Sequence, residues 1–265
     1  MAVDPALPKK ILVVHGVQVG EDEDQNQHED LKQLIETRLN GAPLDFETAM
    51  YRYENINDKS QRLLRTVLKL FVKNLIAQKA LDLTIDVVGD VVIALNEGST
   101  AYKIRQGLVE RILDIHEVGH PLYLVAHSLG SIYAFDAVNQ LIDTEGYFDR
   151  DDRKTWPVQG LVTLGSPIGL RLFKRNKVTP LGPSTKAKFL RWINYWDRTD
   201  PVVTGSFYGK PNDGYTIVER FATDDEDCGW IIQDKVVDVG SAWLAAHIGY
   251  WSHPGLGDDL VSLLG

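Results

Sequence analysis

The chain has 265 residues, a formal net charge of −9, 44% hydrophobic residues and 25% charged residues. This balance is typical of a globular protein and excludes a disordered chain. The acidic charge argues against nucleic-acid binding, which depends on clustered Lys and Arg. The single cysteine, Cys228, excludes an intramolecular disulfide framework and a cysteine-rich zinc site.

The N-terminal sequence MAVDPALPKK places its two lysines after the apolar residues, which is the reverse of the order in a secretory signal. No segment reaches the roughly 18 uninterrupted apolar residues that a membrane-spanning helix needs. One cysteine also fits a reducing compartment. We therefore expect a cytoplasmic protein with no transmembrane segment.

The first predicted elements are a strand, a helix and a second strand. The run ILVVHG is short, β-branched and closed by a glycine, which is typical of a buried strand. LKQLIETRL then spaces its apolar residues at helical intervals, and Asn40-Gly41 supplies C-cap chemistry. LDFETAMYRY predicts the second strand.

Helical periodicity dominates the next part of the chain. An apolar stripe predicts a helix over residues 59–80, either packed on the sheet or serving as a lid over an acyl pocket. We favour the packed helix. Residues 81–95 and 101–116 are predicted to be two more helices. Residues 45–118 thus contain three predicted helices.

The second half alternates strands with helices. PLYLVAHSLG predicts a buried strand running into a turn, and SIYAFDAVNQLID the helix after it. VQGLVTLGSP and KFLRWINYWD predict buried strands, and TIVERF and KVVDVG two short ones. AHIGYWSHPGLGDDLVSLLG predicts a loop and a terminal helix. This alternation predicts an α/β fold with a mostly parallel central sheet and helices on both faces. Without repeats or linkers, we expect one domain over residues 1–265.

The most informative motif is Ala126-His127-Ser128-Leu129-Gly130, between a predicted strand and a predicted helix. A nucleophile elbow requires this context, because its serine occupies a tight strand-to-helix turn. Such a turn crowds the positions two before and two after the serine, and Ala126 and Gly130 are both small. We therefore predict that Ser128 is a nucleophile at a helix N-terminus, where developing negative charge is favoured.

With this elbow the chain resembles the α/β-hydrolase superfamily, and within it the lipase- and esterase-like enzymes. The resemblance also includes the VVHG strand end, the VTLGSP strand, the segment WINYWDRTDPV and the late AHIGYW. It implies an α/β-hydrolase fold with its helical insertion ahead of the nucleophile strand. It also implies a triad in the chain order serine, acid, histidine.

That order leaves two histidines as the general base that a serine nucleophile needs. His247 precedes Gly249-Tyr250-Trp251 and is expected in a loop that leads into the terminal helix. His253 precedes a proline, which restricts its backbone to extended conformations. We favour His247, and His253 is the alternative.

The triad acid should follow a strand end between the serine and the histidine. WINYWDRTDPVV offers Asp197 and Asp200, and the resemblance favours the Asp-Pro-Val position, Asp200. Asp197, which could instead be a turn residue, and Asp238 remain alternatives.

Two backbone N–H groups are expected to form the oxyanion hole. One belongs to the residue after the nucleophile, Leu129, and the other to the loop after the first strand. Gly16 lets that loop approach closely. The resemblance implies Val17 as the second donor, with Gln18 as the next candidate.

These expectations predict a serine hydrolase that cleaves carboxylic esters through an acyl-enzyme intermediate, with Ser128, Asp200 and His247 as catalytic residues. The expected partner is a small-molecule ester or lipid substrate, and no metal or organic cofactor is needed. The alternatives are a non-catalytic α/β-hydrolase-like binding module, or an acyltransferase or amidase with the same triad.

Overall fold

The computed structural model describes nine stretches of the chain, which are residues 3–16, 26–53, 99–143, 156–170, 175–181, 190–204, 217–222, 229–240 and 244–265. The helices predicted over residues 59–80 and 81–95 lie outside the described residues, as does most of the insertion predicted within residues 45–118.

The centre of the fold is a six-stranded sheet with the strand order β2-β1-β3-β4-β5-β6. Every neighbouring pair is parallel. The inner strands of a parallel sheet are buried on both faces, which explains why they appear in the sequence as apolar runs. The strands are β1 Lys9–Val14, β2 Phe46–Tyr51, β3 Leu122–His127, β4 Gly160–Leu164, β5 Leu190–Asp197 and β6 Trp230–Val237.

Helices connect these strands and close the chain. The α-helices are α1 Gln27–Leu39, α2 Ser99–Val118, α3 Gly130–Asp143, α4 Pro201–Thr204, α5 Ile217–Phe221, α6 Leu244–Ile248 and α7 Pro254–Leu264, with 3-10 turns at Pro167–Gly169 and Gly249–Ser252. Asn40 adopts the left-handed conformation that ends α1, as its C-cap position predicts. No helix in these stretches combines the length and the apolar character that crossing a bilayer requires.

Each face of the sheet is covered by its own set of helices. Leu12 and Val14 of β1 pack in one apolar cluster with side chains of α2 and α3. Ile11 and Val13 point to the other face, where side chains of α1 and α7 cover them. This alternation follows from the two-residue period of a strand. The predicted α/β class, with a mostly parallel sheet and helices on both faces, is confirmed.

Two local predictions are wrong. TIVERF is not a strand, because Ile217–Phe221 forms the helix α5. The Asp234 carboxylate of β6 accepts hydrogen bonds from the N–H groups of Ile217 and Val218 at 3.2 and 2.9 Å, and so caps this helix from a distant part of the chain. His247 lies in the short helix α6 and not in a loop.

Candidate active site

The predicted site residues lie where parallel strands end. His15 and Gly16 follow β1, Ser128 follows β3, and Asp200 lies three residues beyond the end of β5. The carboxyl ends of parallel strands meet at one edge of a sheet, and in open α/β sheets ligands bind at that edge. The sheet therefore gathers these side chains from distant parts of the sequence.

Ser128 occupies the tight turn that the sequence predicts. Its φ angle is +54°, in the left-handed region that residues other than glycine seldom adopt. Its N–H donates to the carbonyl of Leu164 at 3.0 Å, and α3 begins two residues later, at Gly130. A strained backbone held by surrounding structure is common at functional sites. The turn presents the hydroxyl at the junction of β3 and α3.

Two glycines close to Ser128 have no room for a side chain. A Cβ atom at Gly130 would lie 2.3 Å from the carbonyl oxygen of His15 and 2.4 Å from that of Val14. A Cβ atom at Gly16 would lie 2.5 Å from the Ser128 Cβ and 3.1 Å from its Oγ. The loop after β1 therefore approaches the serine as closely as predicted, and only glycine fits at either position.

Asp200 and His247 form a hydrogen-bonded pair. Asp200 Oδ2 lies 2.8 Å from His247 Nδ1, and the carboxylate is fully buried. The other oxygen, Oδ1, accepts the N–H of Val202 at 2.9 Å. Because a carboxylate can only accept, Nδ1 carries the imidazole proton in the neutral ring. His247 Nε2 then keeps a lone pair that can receive a proton.

His247 and Ser128 lie on the same side of the molecule. The ring centroid of His247 is 4.6 Å from that of His127, the residue directly before Ser128 in the chain. The His127 Nε2 also lies 2.7 Å from the His247 carbonyl oxygen. The structure therefore brings the late imidazole beside the predicted elbow.

The two alternative acids have structural partners of their own. The Asp197 carboxylate accepts the N–H and hydroxyl of Thr199, both at 2.7 Å, and the N–H of Val239 at 2.9 Å. Asp197 therefore fits the alternative in which it is a turn residue. Asp238 is exposed, and its Oδ1 accepts the N–H of Gly240 at 2.8 Å. Neither carboxylate makes the contact with His247 that Asp200 makes.

The alternative base, His253, caps the terminal helix. Its Nδ1 accepts the N–H of Gly255 at 3.2 Å, at the start of α7. This role explains the extended backbone that its position before a proline predicts.

Tyr250 is part of the site, although the sequence assigns it no role there. Its hydroxyl donates to Asp200 Oδ2 at 2.8 Å, the same oxygen that faces His247. It also accepts the N–H of Asp197 at 2.9 Å. Burial, and then the Asp200 charge, raise the pKa of Tyr250 well above its usual value, so the hydroxyl stays protonated and can donate. No local sequence pattern marks this role.

Gly165, at the end of β4, makes room for this group. Its φ is +55°, and a Cβ atom there would lie 3.0 Å from both Asp200 Oδ2 and His247 Nδ1 and 2.8 Å from Tyr250 Cε2. A residue with a side chain would be strained by this backbone and would press on the hydrogen-bonded pair. The glycine of VTLGSP thus serves the site directly.

One of the two predicted oxyanion donors can be located. Leu129 lies in the turn between β3 and α3, where the first N–H groups of a helix have no partner within it. Val17 and its alternative Gln18 lie outside the described residues. Within the described stretches, no group of three or more His, Cys, Asp or Glu side chains is arranged to hold a metal ion.

No family model matches the chain, and no curated protein matches it. Among solved structures, it is similar to a YdeN-like hydrolase from Pectobacterium atrosepticum, with 12% identity, 97% of this chain and 91% of the other covered, and a TM-score of 0.43. A cutinase-like protein from Cryptococcus sp. is 12% identical to it, and the match covers 100% of this chain and 98% of the other, with a TM-score of 0.43. An alpha-beta serine hydrolase homologue from Coxiella burnetii is 12% identical to it, and the match covers 100% of this chain and 88% of the other, with a TM-score of 0.39.

Likenesses this distant carry no argument about activity. The fold is established by the chain's own features, which are a parallel sheet with helices on both faces and a serine on a sharp turn between a central strand and the next helix. The chain has the α/β-hydrolase fold.

Proposed function

We propose that this protein is a serine hydrolase that cleaves carboxylic esters through an acyl-enzyme intermediate. Ser128 is the nucleophile, His247 the general base and Asp200 the triad acid. The observation that carries the proposal is the 2.8 Å contact between Asp200 and His247 beside a serine in a left-handed turn. The substrate is a small ester or lipid, acted on in the cytoplasm, and residues 1–265 form one domain.

The first step is attack by the serine hydroxyl on the ester carbonyl. His247 Nε2 takes the proton from Ser128 Oγ as the bond from Oγ to the carbonyl carbon forms. Asp200 holds the imidazole in the required tautomer and stabilises the imidazolium, while remaining ionised itself. The N–H of Val202 and the hydroxyl of Tyr250 also donate hydrogen bonds to this carboxylate and fix its orientation.

The tetrahedral intermediate carries its negative charge on the former carbonyl oxygen. The backbone N–H groups of Leu129 and Val17 donate to that oxygen. Leu129 has a suitable position because the positive end of the α3 dipole lies at the same turn. The loop leading to Val17 passes Gly16, which packs against Ser128 itself.

Collapse of this intermediate expels the alcohol, which takes the proton from the His247 imidazolium and leaves an acyl group on Ser128. Water then enters, gives a proton to His247 and attacks the acyl carbon. A second collapse releases the carboxylic acid and returns the proton to Ser128.

Covalent labelling with a fluorophosphonate tests this proposal. The reagent should modify Ser128 in the folded protein and hydrolysis of short p-nitrophenyl esters should be measurable. Ser128→Ala should abolish both, and His247→Ala should reduce both at least a hundredfold. Ser252→Ala is the matched control, because Ser252 is an exposed serine close to His247 in the chain, and it should label like the wild type.

Two outcomes would overturn the proposal. Folded protein that neither labels nor hydrolyses esters would indicate the non-catalytic binding module. Labelling at a serine other than Ser128 would remove the proposed nucleophile. Preference for amides or for transfer to an added alcohol would retain the triad and correct the reaction to that of an amidase or acyltransferase.

A further inference from the structure

The side chain of His127, the residue before the nucleophile, contacts the backbone of His247, the proposed general base. Its ring is buried, with 5% of the residue exposed, and lies 4.6 Å from the His247 ring. Its Nε2 is 2.7 Å from the His247 carbonyl oxygen. The Trp251 ring packs against the imidazole at 5.5 Å and an interplanar angle of 61°, which restricts its orientation. These contacts link the elbow to the segment that carries the base.

The protonation state of His127 follows from its partner. A carbonyl oxygen only accepts hydrogen bonds, so His127 Nε2 must be a donor. Burial, followed by the neighbouring His247, lowers the pKa of His127 to about 3. The ring is therefore neutral near pH 7, with its proton on Nε2. A neutral ring can hold the carbonyl without placing a positive charge beside the base.

His247 needs such support because its helix is short. α6 has five residues, too few for a helix to be stable through its own hydrogen bonds. Asp200 fixes the imidazole at Nδ1 but does not hold the peptide backbone. The hydrogen bond from His127 holds that backbone, and His127 is joined covalently to Ser128.

We propose that His127 is a positioning residue that holds the backbone of His247 in register with Ser128 through its Nε2–H donor. This inference rests on the proposed function and deepens it. A displacement of about 1 Å at a reacting group can reduce a rate about a hundredfold, so loss of the donor should lower kcat. Loss of the donor should leave KM nearly unchanged, because His127 is buried and its Nε2 contacts the backbone of His247.

The test compares two variants of nearly equal size that differ in the donor. His127→Gln provides an amide N–H at about the position of Nε2, whereas His127→Met has similar length, no donor and a flexible chain that fits irregular cores. We expect His127→Met to lower kcat about a hundredfold on a p-nitrophenyl ester, with KM changed less than threefold. His127→Gln should retain at least ten times the kcat of the Met variant.

His120→Met is the matched control. His120 lies two residues before the start of β3, and its Nδ1 makes the same kind of contact, 2.8 Å from the Pro8 carbonyl oxygen. It should retain the wild-type kcat. Thermal unfolding of all variants identifies any that are unfolded at the assay temperature.

The outcomes distinguish failure of the positioning role of His127 from failure of the proposed serine hydrolase function. Active wild-type protein with equal kcat in the folded Gln and Met variants would overturn the positioning role, because packing alone would then explain His127. A Met variant as active as the wild type would do the same. Wild-type protein that does not label at Ser128 would overturn the proposed function, and this inference with it. If the Met variant does not fold, a Gln variant with less than a tenth of the wild-type kcat would still refute the donor role.

Discussion

Replacing Asp200 with asparagine tests the acid through hydrogen-bond geometry. The carboxylate accepts three donors, with His247 Nδ1–H and the Tyr250 hydroxyl at Oδ2 and the Val202 N–H at Oδ1. An asparagine has nearly the same shape but offers only one oxygen. Because the residue is fully buried, water cannot compensate for a mismatched donor.

Either orientation of the asparagine harms the site. With its oxygen toward His247, the amide N–H₂ meets the Val202 N–H, and an unsatisfied buried donor costs about 1–3 kcal/mol. The negative charge that stabilises imidazolium is also lost. With its N–H₂ toward His247, the imidazole must move its proton to Nε2, which removes the lone pair that we propose receives the serine proton. Loss of the correct tautomer in a serine triad lowers kcat about 10⁴-fold, which corresponds to about 5.5 kcal/mol.

We therefore expect Asp200→Asn to lower kcat on p-nitrophenyl acetate by about 10³- to 10⁴-fold, with KM nearly unchanged. The matched control is Asp197→Asn, a nearby buried aspartate whose carboxylate binds Thr199 and Val239 and not His247. It should reduce stability but change kcat less than tenfold. A large loss in the Asp197 variant with a small one in the Asp200 variant would refute this assignment of the acid.

Three further predictions concern the surroundings of the pair. Gly165→Ala should lower kcat at least tenfold and reduce Tm. The left-handed backbone at position 165 costs an alanine about 1–2 kcal/mol, and the alanine Cβ would lie 3.0 Å from His247 Nδ1. An unchanged kcat would contradict this packing. Tyr250→Phe should reduce the free energy of unfolding, measured in urea, by about 1–3 kcal/mol, because it leaves the buried N–H of Asp197 without its acceptor. Burial lowers the folded-state pKa of His127 to about 3, below its ordinary 6.5, so its contribution to stability is complete above pH 6.5 and is lost as the pH falls toward 3. The expected slope from this group is about 1.4 kcal/mol per pH unit, and urea unfolding of His127→Gln across that range should lack it.

The inner strands of the sheet could be predicted because they are buried on both faces. β1, β3 and β4 are apolar throughout or nearly so, and each ends at a turn that the sequence marks by glycine or by the elbow. The turn at Ser128 was predictable for a related reason. Small residues two positions to either side reflect the crowding by β1 that the structure shows at Gly130.

The remaining features depend on contacts between distant parts of the chain. α5 begins where Asp234 caps it from β6, 16 or 17 residues later. Tyr250 reaches Asp200 across 50 residues, and no local pattern distinguishes it from any buried tyrosine. The predicted serine, acid and histidine do lie at one edge of the sheet, while their catalytic roles remain predictions.

The glycine at position 16 constrains the site without supplying a side chain to it. A methyl group at Gly16 would lie 2.5 Å from the Ser128 Cβ, too close for the loop and the turn to keep their positions. An alanine there would force the loop or the turn at Ser128 to move, so position 16 is constrained as tightly as a triad residue although it contributes no side chain.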